Sequence, residues 1–139
     1  MDLRKKTEMI VVHCAATKPS MDIGASEIKK WHVDDNGWDD IGYHYIIKRG
    51  GLVEVGRPEA FQGAHAPAAN SKSIGICLVG GMSEDGDDEN NFTIEQFLSL
   101  KDLLKRLLMT NSNIQEIVGH CDIQDNKPNC PGFNLKEWL

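Results

Sequence analysis

The chain has no apolar run approaching the roughly 20 residues that a membrane-spanning helix requires, so insertion into a bilayer is not expected. It also lacks a basic excess. Fifteen Lys and Arg face 21 Asp and Glu, for a formal charge of −6, which argues against a nucleic acid as the main partner, because a phosphate backbone needs a basic face. Early charge at Arg4, Lys5 and Lys6 is followed only by the short apolar stretch Met9 to Val12. That is too short for the apolar region of a signal peptide, so synthesis in the cytoplasm is expected. Cysteine is sparse. Cys14, Cys77, Cys121 and Cys130 would start in a reducing compartment, where buried free thiols are expected rather than a disulfide framework. No repeat and no linker interrupts the 139 residues. One domain over residues 1–139 is expected, long enough to bury a proper core, and a monomer.

Strand and helix patterns alternate along the chain. Met9 to His13 is rich in β-branched residues and predicts a short buried strand. Ser26 is placed to cap a helix through Ile28, Trp31 and His32 to about Asp35, which Asn36-Gly37 ends. Tyr43 to Lys48 predicts a second strand, Gly50-Gly51 a turn, and Leu52 to Val55 the returning strand of a hairpin. Ser73 to Val79 is almost continuously apolar, as at the centre of a covered sheet. The acidic run Glu84 to Glu89 predicts a solvated loop, without the ligand spacing of a calcium loop. Thr93 and Gln96 form a capping box, and Phe97, Leu100, Leu104 and Leu107 repeat at helical spacing behind it. Ile114 to Val118 predicts another strand, and Asn134 to Leu139 a helical turn. The expected fold class is α/β: a central mixed sheet flanked by helices.

Candidate chemistry falls at strand ends, where α/β sheets form their clefts. His13 closes the first strand, and His120 follows the strand ending at Val118-Gly119. Cys130 sits in a Pro-flanked loop close enough to fold back on His120. Two imidazoles and a thiolate make a three-ligand set of the kind that leaves a catalytic zinc one position for water. Spacing alone leaves open whether these are ligands or structural side chains. His32, beside Trp31, is expected to pack or hydrogen-bond locally. His44 alternates with Tyr43 and points to the opposite face, so it is a poor site candidate if Tyr43 faces the cleft. His65 lies in a loop, where binding groups often sit.

Several segments occur in an order that is specific. They are Val12-His13-Cys14-Ala15-Ala16-Thr17, Trp31-His32, Gly37-Trp38-Asp39-Asp40-Ile41-Gly42-Tyr43-His44-Tyr45, Gly63-Ala64-His65, Asn70-Ser71-Lys72-Ser73-Ile74-Gly75-Ile76, and Gly119-His120 leading to Cys130-Pro131. Together, from about Ile10 to Phe133, they resemble the type-2 N-acetylmuramoyl-L-alanine amidases, a family that includes amidase-type phage lysozymes and peptidoglycan recognition proteins. The compact size and Leu78-Val79-Gly80-Gly81 are most similar to the phage type.

The resemblance implies a zinc cofactor held by His13, His120 and Cys130, with peptidoglycan as the substrate. It implies hydrolysis of the amide between N-acetylmuramic acid and L-alanine, after release of the protein to the cell wall. Tyr43 matches a catalytic tyrosine of the phage-type members. Lys127 is the candidate for their catalytic lysine, although two residues separate it from Cys130 where the phage-type pattern has one. Some relatives carry a glutamate base on the central strand, and Cys77 occupies about that region here. His65 and Asn70 match a loop beside the substrate groove. The rival expectation is a non-catalytic peptidoglycan-binding module of the same fold. The presence of Cys130 weighs against it, because inactive relatives typically lose that residue.

Overall fold

A computed structural model describes residues 1–126 and 129–139. The elements are β1 (Met9–Cys14), α1 (Ala25–Lys30), β2 (Tyr45–Ile47), β3 (Val53–Val55), β4 (Ser73–Leu78), α2 (Ile94–Thr110), β5 (Glu116–Gly119) and α3 (Leu135–Trp138). Among the described residues the strands form one mixed sheet in the order β3-β2-β4-β1-β5. β1 pairs in parallel with β4 and β5, β2 pairs in parallel with β4, and β3 returns antiparallel to β2. β1 and β4 sit at the centre, and their continuous apolar runs follow from burial on both faces.

Alternation along β1 divides the core in two. Ile10 and Val12, with Ile74, Ile76 and Leu78 of β4, meet Leu100, Leu103, Leu104 and Leu107 of α2. Burying side chains of this size contributes on the order of 1.5–3 kcal/mol each. Met9 and Val11 face the other way, against Ala66, Ala69 and Val118. His13 continues this second face, so the helix layer of α2 lies on the side away from it.

The expected capping box of α2 is present: Gln96 N–H donates to Thr93 Oγ1 and Thr93 N–H to Gln96 Oε1, both at 3.0 Å. Gln96 is fully buried, and its amide also donates to Ile47 O and Val79 O. The helix start is thereby tied to the ends of β2 and β4. Phe97 does not join the leucine stripe; it packs with Phe92, Phe133 and Trp138.

Three expectations need correction. The first helix is capped at Gly24, not Ser26. Glu27 reaches back to accept the Gly24 N–H at 3.0 Å, and Ser26 Oγ donates to that same carboxylate. The helix then widens into a π-helical turn over Trp31–Asp35 before Gly37 closes it at positive φ. The strands of the hairpin are also shorter than their apolar runs, because Tyr43 and His44 precede the ladder and serve the loops instead.

His44 illustrates this. It is fully buried. Gly75 N–H donates to its Nδ1 at 3.0 Å, which leaves Nε2–H to donate to Phe61 O at 2.7 Å. Burial, the largest cause, holds its pKa down from the usual 6.5 to about 4. The fold therefore holds a neutral imidazole where the unfolded chain takes up a proton. The contribution is complete above pH 6.5 and is lost as pH falls toward 4, a loss of roughly 3 kcal/mol. Nitrogen NMR at about pH 5.5 should find His44 still neutral with the proton on Nε2. An imidazolium signal at that pH would contradict its buried, neutral role.

Candidate functional site

The register of the sheet builds the site. Val12 pairs with Gly119 across β1 and β5, so the next residues, His13 and His120, emerge side by side at the carboxyl ends. Their Nδ1 atoms are 3.1 Å apart, and both side chains are buried. The chain after β5 makes a 3-10 turn over His120–Asp122 and returns, and Cys121 N–H bonds to Cys130 O at 2.8 Å. This contact carries Cys130 to the end of β1, where Cys14 N–H donates to its Sγ at 3.2 Å. One donor atom from each of His13, His120 and Cys130 lies within 4.8 Å of the others, a set that could hold a metal ion. Cys14 Sγ is 3.8 Å from Cys130 Sγ; all four cysteines are free, but only Cys77 is a buried thiol of the kind expected, the other three being half-buried.

Polar partners fix both imidazoles from behind. His120 Nε2 bonds to Gln124 Oε1. The Gln124 amide nitrogen donates to Asn126 Oδ1 at 2.7 Å, which sets the orientation of that amide. His13 Nε2 is 2.8 Å from His65 Nδ1. Spacing gave no signal for Gln124, whose role depends on the turn after β5.

A cleft of about 390 Å³ opens over this cluster, lined by His32, Trp38, Tyr43, Ala64, His65, Pro67, Asn70, His120 and Gln124. A larger depression of about 500 Å³ between the acidic loop and the segment before α3 contains none of the histidines. The Tyr43 ring lies 5.1 Å from that of His13, so Tyr43 faces the cluster. His44 does not turn to the opposite face as strict alternation implied, because both residues precede β2; its ring lies 5.8 Å from that of His65. Burial pushes the Tyr43 phenol well above its usual pKa, and contact with the Cys77 thiol adds to this. It is a proton donor at neutral pH. Cys77 pairs with His13 across β4 and β1 and is fully buried.

His32 bonds locally, as expected: its Nδ1 accepts Gly42 N–H at 2.9 Å, and its ring lies 4.6 Å from that of Trp38. Burial lowers its pKa, with the Arg57 charge acting in the same direction. Arg57 was not foreseen from sequence. It is buried and donates to Ile41 O and Gln62 O at 2.8 Å each, and to Asp40 O at 3.2 Å. These bonds hold the loop that presents Tyr43. Gly42 lets that loop close, since a Cβ there would lie 2.1 Å from Ala64 O. Asn70 Oδ1 accepts His65 N–H at 3.0 Å and Ala66 N–H at 2.8 Å, shaping the opposite wall. Lys127 lies outside the described residues.

A His, His, Cys cluster beside a cleft at the carboxyl ends of parallel strands defines an α/β protein with a candidate metal centre. The profile of the N-acetylmuramoyl-L-alanine amidase family matches residues 3–133. The endolysin of Enterobacteria phage T3 is 47% identical over 135 residues, spanning 97% of this chain and 87% of that protein. Peptidoglycan-recognition protein SC2 of Drosophila melanogaster is 32% identical over 120 residues, spanning 86% of this chain and 62% of its own length. Among solved structures, the endolysin amidase LysCS from Clostridium intestinale superposes with a TM-score of 0.82 at 30% identity, covering 99% of this chain and 84% of that one. The chain belongs to the N-acetylmuramoyl-L-alanine amidase family. It is an amidase acting on peptidoglycan.

Proposed function

We propose that the chain is an endolysin-type amidase in which His13, His120 and Cys130 hold one zinc ion and Tyr43 acts on the scissile amide. The observation that carries this reading is the convergence of the three donor atoms within 4.8 Å of one another, beside a cleft that His120 helps to line. Two nitrogens on a tetrahedral zinc, each at about 2.0–2.1 Å from the ion, are about 3.3 Å apart. The two Nδ1 atoms are 3.1 Å apart, which suits that edge. The Cys14 thiol and burial push the Cys130 thiol up, and the Cys14 N–H at its sulfur offsets this only in part, so the charged sulfur a metal needs depends on the charge of the bound ion itself. Three protein ligands leave one position for water or substrate.

Zinc in this set supplies Lewis acidity, polarising an amide carbonyl and making water a usable nucleophile near neutral pH. The chain's own groups do the rest. Tyr43 holds a proton on its phenolic oxygen beside the cluster. It donates that proton as a hydrogen bond to the developing oxyanion, or transfers it to the departing alanine nitrogen. His65 and Asn70 shape the wall against which the muropeptide lies, and Lys127 keeps the oxyanion-stabilising role its sequence position implies. The protein reaches its substrate when it gains access to the wall.

Digestion of purified sacculi should release new L-alanine amines and no new reducing sugars. New reducing ends would identify a glycosidase, and binding without release would identify a recognition module. In the same assay Cys130→Ser should lose zinc and activity together, whereas activity with stoichiometric zinc in that variant would refute the ligand assignment. Tyr43→Phe should keep one zinc per chain while kcat falls by about 100-fold or more. Full turnover in Tyr43→Phe would remove the phenol from the reaction.

A further inference from the structure

Behind His13 runs a buried chain of hydrogen bonds that ends on a backbone carbonyl. His13 Nε2 is 2.8 Å from His65 Nδ1, His65 Nε2 is 3.3 Å from Ser73 Oγ, and Ser73 Oγ donates to Ala69 O at 2.7 Å. His65 and Ser73 are both buried. The carbonyl dictates the direction of every link, because it can only accept. Ser73 spends its proton on Ala69 O and must therefore accept from His65 Nε2–H. His65 then carries its lone pair on Nδ1 and accepts from His13 Nε2–H. His13 is left with its lone pair on Nδ1, the atom that faces His120 Nδ1 and the candidate metal position.

Two further features hold His65 in this pose. Asn70 Oδ1 anchors its backbone N–H at 3.0 Å. Gly75, beneath the ring, leaves room for it: a Cβ there would lie 2.6 Å from His65 Cγ and Cδ2. A β4 residue with any side chain would push the ring away from His13.

We propose that His65, backed by Ser73, is a positioning residue that fixes the tautomer and orientation of His13 and thereby raises the affinity of the site for its metal. The role extends the zinc reading of the site and depends on it. Its contribution is made through His13, whatever contact His65 also makes with substrate from the cleft wall. Removing a partner of this kind from a metal-bound histidine typically costs about 10- to 100-fold in affinity.

The test is zinc dissociation measured by chelator competition, with the fold checked by circular dichroism. His65→Phe keeps a ring of similar size but removes both nitrogens, and should weaken zinc by about 10- to 100-fold. His65→Asn places a carbonyl oxygen near the position of Nδ1 and should restore affinity to within a few-fold of wild type. Gly75→Ala, which displaces the ring without altering it, should weaken zinc in the same direction as His65→Phe. Nitrogen NMR on the wild-type protein without metal provides a readout that needs no variant: His13 should carry its proton on Nε2. Wild-type zinc affinity in His65→Phe, or a His13 proton on Nδ1, overturns the positioning role while leaving the zinc reading intact. Failure of wild-type protein to bind zinc at all would instead refute that reading and this inference with it.

Discussion

The parallel register of β1 against β5 is the constraint on which the site depends. Pairing Val12 with Gly119 brings His13 and His120 out together although 106 residues lie between them. Side chains alternate strictly along a strand, so a slip of one residue would turn one imidazole to the α2 face and dissolve the cluster. The register is itself held by the core. Ile10, Val12 and Ile117 pack on the α2 side and Met9, Val11 and Val118 on the other, which excludes a one-residue slip between β1 and β5. Stability and chemistry are thus tied through the same strand.

Around this frame, buried polar groups specify where the loops lie. Gln96 ties the start of α2 to the ends of β2 and β4. Arg57 gathers the carbonyls of the loop that carries Tyr43. His44 bridges Gly75 of β4 to Phe61. Each bonds backbone groups of separate segments, and a buried polar network of this kind favours one arrangement over its competitors. The cleft walls therefore rest on fixed loops, an arrangement suited to a site in which donor atoms must agree to within fractions of an ångström.

The strands and α2 could be read from the sequence because their signals are local. β-Branched runs, a capping box and a leucine period each act over a few residues. The cap at Gly24 was harder to place, since Glu27 can serve either Gly24 or Ser26 and the next N–H, that of Ala25, takes its partner Glu54 from another element. At the site, His13, His120, Cys130 and Tyr43 stood out as chemically capable residues at strand ends or in ordered motifs. What escaped was the layer behind them. Ser73 reads as one more residue of an apolar strand, and no local signal singles out Gln124 or Arg57, until the fold places each against a particular partner. Cys14 likewise gave no sign of its backbone bond to Cys130.

The central claim is that one metal ion is shared by two imidazoles and a single sulfur, with Cys14 near the site but outside the coordination shell. X-ray absorption at the zinc edge on the purified protein measures this directly. The account predicts one sulfur at about 2.3 Å and lighter atoms at about 2.0–2.1 Å, with the scattering pattern of imidazole rings. Two sulfurs in the shell, or none, would contradict it.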